Sequence, residues 1–162
     1  MIKDAVTRII GDKSEAFYKK GAEAFRESRF REALAYFDQA LEADPKNIDA
    51  MVGKGRCLNK LGAFTEALKR FEAAIEMDPE HIDAVFQKGI TLVHLGRIEE
   101  AILSFDRALE ISPVFSEAWD NKAVCYQLMG KRTLAEQCLD KAMQLRGEYK
   151  TYKPMLGKWY RS

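Results

Sequence analysis

Apolar and polar residues alternate along this chain with the spacing of α-helices. From residue 14 to residue 149 the apolar positions recur at intervals of three, four and seven residues. That spacing places them on one face of a helix, whereas a strand would show a period of two. Short segments rich in glycine, proline and aspartate separate the helical stretches. The pattern therefore predicts an all-α fold.

A period of 34 residues organises these predicted helices. Pro45, Pro79 and Pro113 follow one another at intervals of 34 residues, and the same shift aligns nearly all the apolar positions. The period predicts four repeats, which we number from position 1: residues 14–47, 48–81, 82–115 and 116–149. Each is expected to form a helix A, a tight turn and a helix B. Because one such pair cannot bury its apolar face alone, we expect the repeats to stack into a continuous core.

Small and large residues recur at fixed positions of the repeats. Small residues at positions 8, 20 and 27 allow two helices to approach closely, and a large residue at position 24 fills the space between them. Position 15 is where helix A must stop, commonly in a left-handed backbone conformation. In repeat order, position 24 holds Phe37, Phe71, Phe105 and Leu139, and position 15 holds Ser28, Gly62, Gly96 and Gly130.

The repeat length and this residue pattern resemble the tetratricopeptide repeat over residues 14–149. The resemblance implies a right-handed α-solenoid, with a concave groove lined by helices A and a role in protein–protein interaction. The chain departs from the family at position 7, where leucine is usual and lysine stands here. We expect these lysines to pair with glutamates at position 29. The lysines are Lys20, Lys54, Lys88 and Lys122, and the glutamates are Glu42, Glu76 and Glu110.

Both ends of the predicted stack carry a candidate capping helix. Residues 1–13 form an amphipathic helix with an apolar stripe, which Gly11 is expected to end. This helix either caps the first repeat or docks into the groove of another copy. Residues 150–162 continue the repeat pattern and are predicted to form a C-terminal capping helix. Their aromatic residues are expected to pack in the cap: Tyr152, Trp159 and Tyr160.

Charge and cysteine content restrict the partners and the compartment. The chain has 26 Lys and Arg against 25 Asp and Glu, so it lacks the basic excess typical of nucleic-acid binders. It also lacks an apolar run of the roughly 20 residues that cross a bilayer. We therefore expect neither a nucleic acid nor a membrane as partner. Cys57, Cys125 and Cys138 form no Cys-x-x-Cys pair, which favours buried thiols in a reducing, cytoplasmic compartment.

No motif of catalysis or metal binding stands out. His81 and His94 are thirteen residues apart, and neither belongs to a metal-ligand cluster. The glycines at positions 53 and 55 lack the strand and the Ser or Thr of a phosphate loop. The sequence therefore predicts a non-enzymatic protein with no cofactor, no metal and no catalytic residue. The acids at position 2, which favour a helix N-terminus, are interpreted as structural: Glu15, Asp49, Asp83 and Glu117.

Positions 2, 5, 6, 9, 12 and 13 of helix A lie opposite the face that packs in the stack, so they are expected to line the concave groove. We predict that a peptide or helix of a partner protein binds there, with apolar anchors and an acidic end over Arg56. The alternative is that the apolar residues pack on neighbouring helices B. The predicted contacts are Tyr18, Lys19, Phe25, Arg26, Val52, Arg56, Asn59, Lys60, Phe86, Gln87, Ile90, Val93 and Asn121.

One use known in the tetratricopeptide family is not expected. Some members grip the C-terminal carboxylate of heat-shock chaperones with a clamp of lysine, asparagine and arginine side chains. The clamp positions here hold Tyr18, Ala22, Gly53, Asp83 and Gln87 in one register, and Val52, Arg56, Gln87, Glu117 and Asn121 in the next. We therefore expect a scaffold or adaptor for other segments. The rival function is self-assembly, in which the N-terminal helix docks into a neighbouring copy.

Overall fold

The computed structural model describes the backbone of residues 2–147 and the side chains of residues 10–147. These residues form α-helices and no strand, joined alternately by turns of three and four residues. The predicted all-α tetratricopeptide fold is confirmed. The helices are α1 (Ile2–Arg26), α2 (Phe30–Ala43), α3 (Ile48–Lys60), α4 (Phe64–Met77), α5 (Ile82–His94), α6 (Ile98–Ile111), α7 (Ser116–Leu128) and α8 (Arg132–Leu145).

The described residues form two compact units that divide between Thr91 and Leu92, and we call them the N-terminal and the C-terminal unit. In the N-terminal unit α1 packs against α2 and α3, and α3 packs against α2 and α4. In the C-terminal unit α7 packs against α6 and α8. Within each unit these helices therefore bury apolar faces against their neighbours, as expected for helical repeats.

The recurring small and large positions form this core. Phe37, Phe71 and Phe105 are at most 2% exposed. The alanines around them are also buried, at 2% exposure or less: Ala33, Ala40, Ala67, Ala74, Ala101, Ala108, Ala135 and Ala142. Burial of a phenylalanine side chain contributes about 1.5–3 kcal/mol, so the aromatic residue at position 24 is a main source of stability in the first three repeats. The predicted packing roles of positions 20, 24 and 27 are confirmed.

The predicted left-handed turns between helices A and B are also confirmed. Position 15 has a positive φ in every repeat, with 61° at Ser28, 81° at Gly62, 73° at Gly96 and 72° at Gly130. The residue that follows each of them donates its N–H to a carbonyl five residues earlier, as Ala63 does to Leu58 at 2.9 Å. This bond satisfies a carbonyl at the helix end and fixes the sharp return of the chain.

The N-terminal helix differs from the prediction. α1 runs without a break from Ile2 to Arg26 and so includes Gly11 and the first helix of repeat 1. The predicted helix end at Gly11 is wrong, because one glycine inside a helix costs only about 1 kcal/mol and its neighbours favour helix. The other predicted capping helix, residues 150–162, lies outside the described residues.

The lysines at position 7 pair with acids one helical turn earlier than predicted. Lys88 Nζ lies 3.3 Å from Glu72 Oε1, and Lys122 Nζ lies 2.5 Å from Asp106 Oδ1. Lys54 pairs with Asp38 in the same way. Each acid stands at position 25 of the preceding repeat, so the prediction of partners at position 29 is wrong. The helical turn of helix B that contains position 25 lies opposite the lysine of the next helix A.

Candidate functional site

A cleft of about 330 Å³ opens in the N-terminal unit between α1 and α3, and we call it the α1–α3 cleft. Its walls come from one face of each helix, and single residues of α2 and α5 complete it. The lining residues are Tyr18, Ala22, Phe25 and Arg26 of α1, Phe37 of α2, Asp49, Val52, Gly53 and Arg56 of α3, and Asp83 of α5.

The floor of the cleft is apolar because the Phe37 ring lies directly beneath a glycine. A Cβ atom on Gly53 would lie 2.6 Å from Cε1 of Phe37, so only glycine fits there without displacing the ring. Tyr18 packs on the same ring, with the two centroids 5.9 Å apart. Val52 is 3% exposed and closes the floor from α3. The base of the cleft is therefore apolar, and it is formed by residues that are themselves packed in the core.

Arg56 is held at one end of the cleft. Its guanidinium carbon lies 4.8 Å from the centre of the Phe25 ring, and its Nη1 atom lies 3.6 Å from Oδ2 of Asp83. Phe25 in turn packs edge-on against Phe30, with centroids 5.3 Å apart. The Arg56 side chain remains 42% exposed. A guanidinium fixed on a ring and open to solvent is suited to bind a carboxylate through two parallel hydrogen bonds.

The other end of the cleft is acidic. The Ala84 N–H donates to Nδ1 of His81 at 3.2 Å, so that nitrogen carries no proton. The other ring nitrogen, Nε2, lies 3.3 Å from Oδ1 of Asp49 and is the donor of that contact. Burial raises the pKa of the Tyr18 hydroxyl, and the negative charge of Asp49 raises it further. Tyr18 therefore presents a neutral phenol beside the Asp49 carboxylate at neutral pH.

Residues 10–146 match the family model of the middle TPR-like domain of cilia and flagella-associated protein 70. The chain belongs to this family. The matched range includes every residue that lines the α1–α3 cleft of this TPR-like domain. None of the curated proteins matches the chain.

Solved structures of other tetratricopeptide proteins have the same fold. The first TPR of Spaghetti (RPAP3), solved bound to an HSP90 peptide, is 22% identical with a TM-score of 0.72, covering 74% of this chain and 95% of that chain. MamA from Desulfovibrio magneticus RS-1 is 18% identical with a TM-score of 0.76, covering 92% and 94%. A thermophilic TPR protein of Thermus thermophilus is 21% identical with a TM-score of 0.75, covering 88% and 82%.

The structure of the TPR-like domain brings five of the predicted contact residues together in the α1–α3 cleft. They are Tyr18, Phe25, Arg26, Val52 and Arg56. Three further predicted residues on the same helices do not line it. Lys19 pairs with Glu15 on the outer surface of α1, Asn59 Nδ2 donates to the hydroxyl of Thr91 at 2.8 Å, and Lys60 is exposed in the last turn of α3.

The remaining predicted residues lie on α5 and α7, outside the cleft. Ile90 and Val93 are half-buried, Gln87 Nε2 donates to Oδ1 of Asp83 at 3.3 Å, and Asn121 Nδ2 donates to the carbonyl of Glu117 at 2.8 Å. Phe86 is 9% exposed and Val52 is 3% exposed. Phe86 therefore packs in the core, in line with the alternative that apolar groove residues pack on neighbouring helices, whereas Val52 is buried and also lines the cleft.

The structure adds cleft residues that the sequence did not assign to binding. Phe37 was predicted only as a core residue, and Asp49 and Asp83 were interpreted only as favourable charges at helix N-termini. Both acids do stand in the first turn of their helices. Position 2 nevertheless lies on the predicted groove face, and that placement was the signal that could have identified them.

Three further observations concern metal binding, membrane insertion and the cysteines in the part of the chain that the structure describes. There, no three His, Cys, Asp or Glu side chains form a group that could hold a metal ion. None of the described helices combines the length and the apolar character needed to span a bilayer. The thiols of Cys57, Cys125 and Cys138 are free and buried.

Proposed function

We propose that this TPR-like domain is a non-catalytic adaptor that holds a segment of a partner protein in the α1–α3 cleft. The observation that carries the proposal is the combination of an apolar floor with a guanidinium held at the rim. Apolar contact supplies affinity, and a few placed polar groups orient the ligand, as in most binding clefts. The floor residue Phe37 and the rim residue Arg56 provide these two elements.

Two further points support a peptide-like ligand of this kind. A neighbour of the same fold was solved bound to an HSP90 peptide. The clamp residues for such chaperone tails are missing from this sequence, so a segment of different chemistry is expected. We place the interaction in the cytoplasm, consistent with the free, buried thiols.

A cleft-blocking variant tests the proposal. Ala22→Leu fills the cleft, and Arg56→Ala removes its cation. We therefore expect the double variant to bind the partner with an affinity at least about tenfold lower than that of the wild type. A matched double variant, Ala35→Leu with Arg31→Ala, makes the same chemical changes at exposed positions of α2. Partners captured from native lysate are identified by mass spectrometry and then titrated, as purified proteins, against the wild type and both variants.

A partner that binds the wild type and the matched control, but not the cleft variant, would support the proposal. Equal binding to all three proteins would show that the contact lies elsewhere on the domain. Circular dichroism of the cleft variant verifies that it keeps its helical content, so that lost binding is not mistaken for unfolding.

One observation favours self-assembly as a second candidate function. The helix α1 extends through residues 2–13 ahead of repeat 1, and Ile10 in this extension is 42% exposed. An apolar stripe on such an extension is suited to dock into another copy. For the full chain, we expect the average mass of the particles in solution to rise with protein concentration. After deletion of residues 1–12, we expect that mass to remain the mass of a monomer. A full chain that is monomeric throughout a concentration series eliminates this candidate.

A further inference from the structure

The α1–α3 cleft has two ends of the same construction. Tyr18 and Phe25 are seven residues apart on α1, and Asp49 and Arg56 are seven residues apart on α3. Seven residues are two helical turns, or about 10.5 Å along the axis. Arg56 lies on the Phe25 ring, and Asp49 lines the cleft together with Tyr18. Each end therefore pairs an aromatic ring of α1 with a charged group of α3, and the charges are opposite.

The anionic end keeps a net negative charge. Glu15 is neutralised by Lys19, whose Nζ lies 3.3 Å from its Oε1. The imidazole of His81 contacts Asp49 in its neutral form, because its Nδ1 accepts the Ala84 N–H. The carboxylate of Asp49 is 66% exposed and is therefore open to a cation of a ligand.

The cationic end keeps a net positive charge. Arg26 and Arg56 both line it, against the single carboxylate of Asp83. Asp83 Oδ2 lies 3.6 Å from Arg56 Nη1, which is a loose contact. The Nε atom of Arg26 donates only a long bond of 3.4 Å to the Ala22 carbonyl. Both guanidinium groups therefore have donors available for an anion.

The space between the two ends is apolar and small. Ala22 and Gly53 both line it, and Gly53 lies directly against the Phe37 ring. A volume of about 330 Å³ is at the lower end of the range of ligand clefts, about 300–1,000 Å³. It accommodates one large apolar side chain of a segment, with the neighbouring residues at its two ends.

We propose that the cleft selects a segment in which an apolar side chain lies between a cationic and an anionic side chain, with the cation at Asp49 and the anion at Arg26 and Arg56. This inference rests on the proposed function and specifies its ligand. A separation of about 10 Å corresponds to three or four residues of extended chain. A purely acidic segment is disfavoured, because it places like charge against Asp49.

Selection of peptides from a random heptapeptide phage library tests this charge requirement. On the wild type we expect enrichment of peptides that carry both a Lys or Arg and an Asp or Glu around an aromatic or aliphatic residue. On Asp49→Asn, Lys and Arg should no longer be enriched in the peptides, while Asp and Glu still are. On Arg56→Gln combined with Arg26→Gln, Asp and Glu should no longer be enriched, while Lys and Arg still are. Asp49→Asn is isosteric and the Arg→Gln changes keep a polar side chain, so we expect the fold to stay intact, which circular dichroism verifies.

A synthetic copy of an enriched peptide gives the quantitative test. Replacing its cation by norleucine should lower affinity for the wild type by about tenfold and leave affinity for Asp49→Asn unchanged. Enriched peptides with an apolar residue but no paired charges would overturn the inference and leave the proposed function standing. Enrichment no greater than on the blocked variant, Ala22→Leu with Arg56→Ala, would overturn the proposed function itself.

Discussion

Replacing Gly55 with alanine is expected to lower the free energy of unfolding by about 1–3 kcal/mol, although alanine is the better helix former. A Cβ atom at this position would lie 2.6 Å from Cε1 and 2.7 Å from Cζ of Phe71. The Phe71 ring has no exposed surface and is packed on all sides in the core of repeat 2. It cannot move away without opening a void, so overpacking outweighs the gain in helix propensity.

The matched control is the same substitution at Gly11. Gly11 also lies inside a helix, but a Cβ atom there would meet nothing within 4 Å. Gly11→Ala is therefore expected to raise the free energy of unfolding by about 0.5–1 kcal/mol. If Gly11 ended a helix, as its sequence context suggests, alanine would not stabilise the protein. Urea unfolding followed by circular dichroism measures both variants.

The same Gly55→Ala substitution in a Phe71→Leu protein tests whether contact with the Phe71 ring causes the loss of stability. In a Phe71→Leu variant the ring edge is gone, so the added Cβ has more room. We expect Gly55→Ala to cost clearly less in that background than in the wild type, a non-additivity typical of residues in contact. Equal costs in the two backgrounds would show that the clash with the Phe71 ring is not the cause.

The sequence was sufficient to predict the helix pairs, because the same pattern of small and large packing residues recurs in each repeat. Four copies of one pattern separate positions that must be small, such as Ala67, from positions that must be large, such as Phe71. The same repetition identified the left-handed turn, even at Ser28, where glycine is absent. The four repeats could therefore be compared with one another position by position, which is not possible in a chain without repeats.

Two kinds of feature could not be predicted from the sequence. One depends on the weak conformational preference of a single residue, and the other on which of several acidic residues pairs with a lysine. Gly11 was interpreted as a helix end, but α1 continues because a single glycine is a small cost in a long helix. Lys88 was assigned a partner at position 29, whereas it reaches Glu72 at position 25. A helical wheel gives the face of a residue, but it does not specify which turn of the neighbouring helix lies opposite.

The α1–α3 cleft was predictable only in part for the same reason. The wheel placed Tyr18, Phe25 and Arg56 on the groove face, and the structure unites them in one cleft. It could not show that Val52 is buried by the adjacent helices or that the ring of Phe37 lies directly against Gly53. Both facts depend on how closely α1 and α3 approach, which the small residues permit but do not specify.

Raising the pH above 9 is expected to destabilise the protein through its buried thiols. Desolvation by burial raises the pKa of Cys57 from 9.0 to about 12 and that of Cys125 from 9.0 to about 11. Below pH 9 the thiols are protonated in the folded and the unfolded chain, so this contribution to stability is fully present. Above pH 9 the unfolded thiols lose protons while the folded ones keep them, and stability falls until the folded pKa values are reached.

The expected slope is roughly 1 kcal/mol per thiol for each pH unit above 9. Urea unfolding at pH 8 and pH 10, under reducing conditions, should therefore show a loss of about 2 kcal/mol from Cys57 and Cys125 together. The double variant Cys57→Ala with Cys125→Ala is the control. We expect it to be less stable than the wild type at pH 8, because it leaves cavities, but to lose about 2 kcal/mol less on going to pH 10.

The control separates the thiols from the other groups that titrate in this range. All other side chains that titrate in this range are present in both proteins, so their contributions cancel in the difference. Parallel losses of stability would mean that Cys57 and Cys125 ionise in the folded protein. Both residues have no exposed surface, so ionisation would require the helices of their repeats to open. The thiols would then be open to alkylating reagents in the native state, and they would no longer act as small apolar side chains of the core.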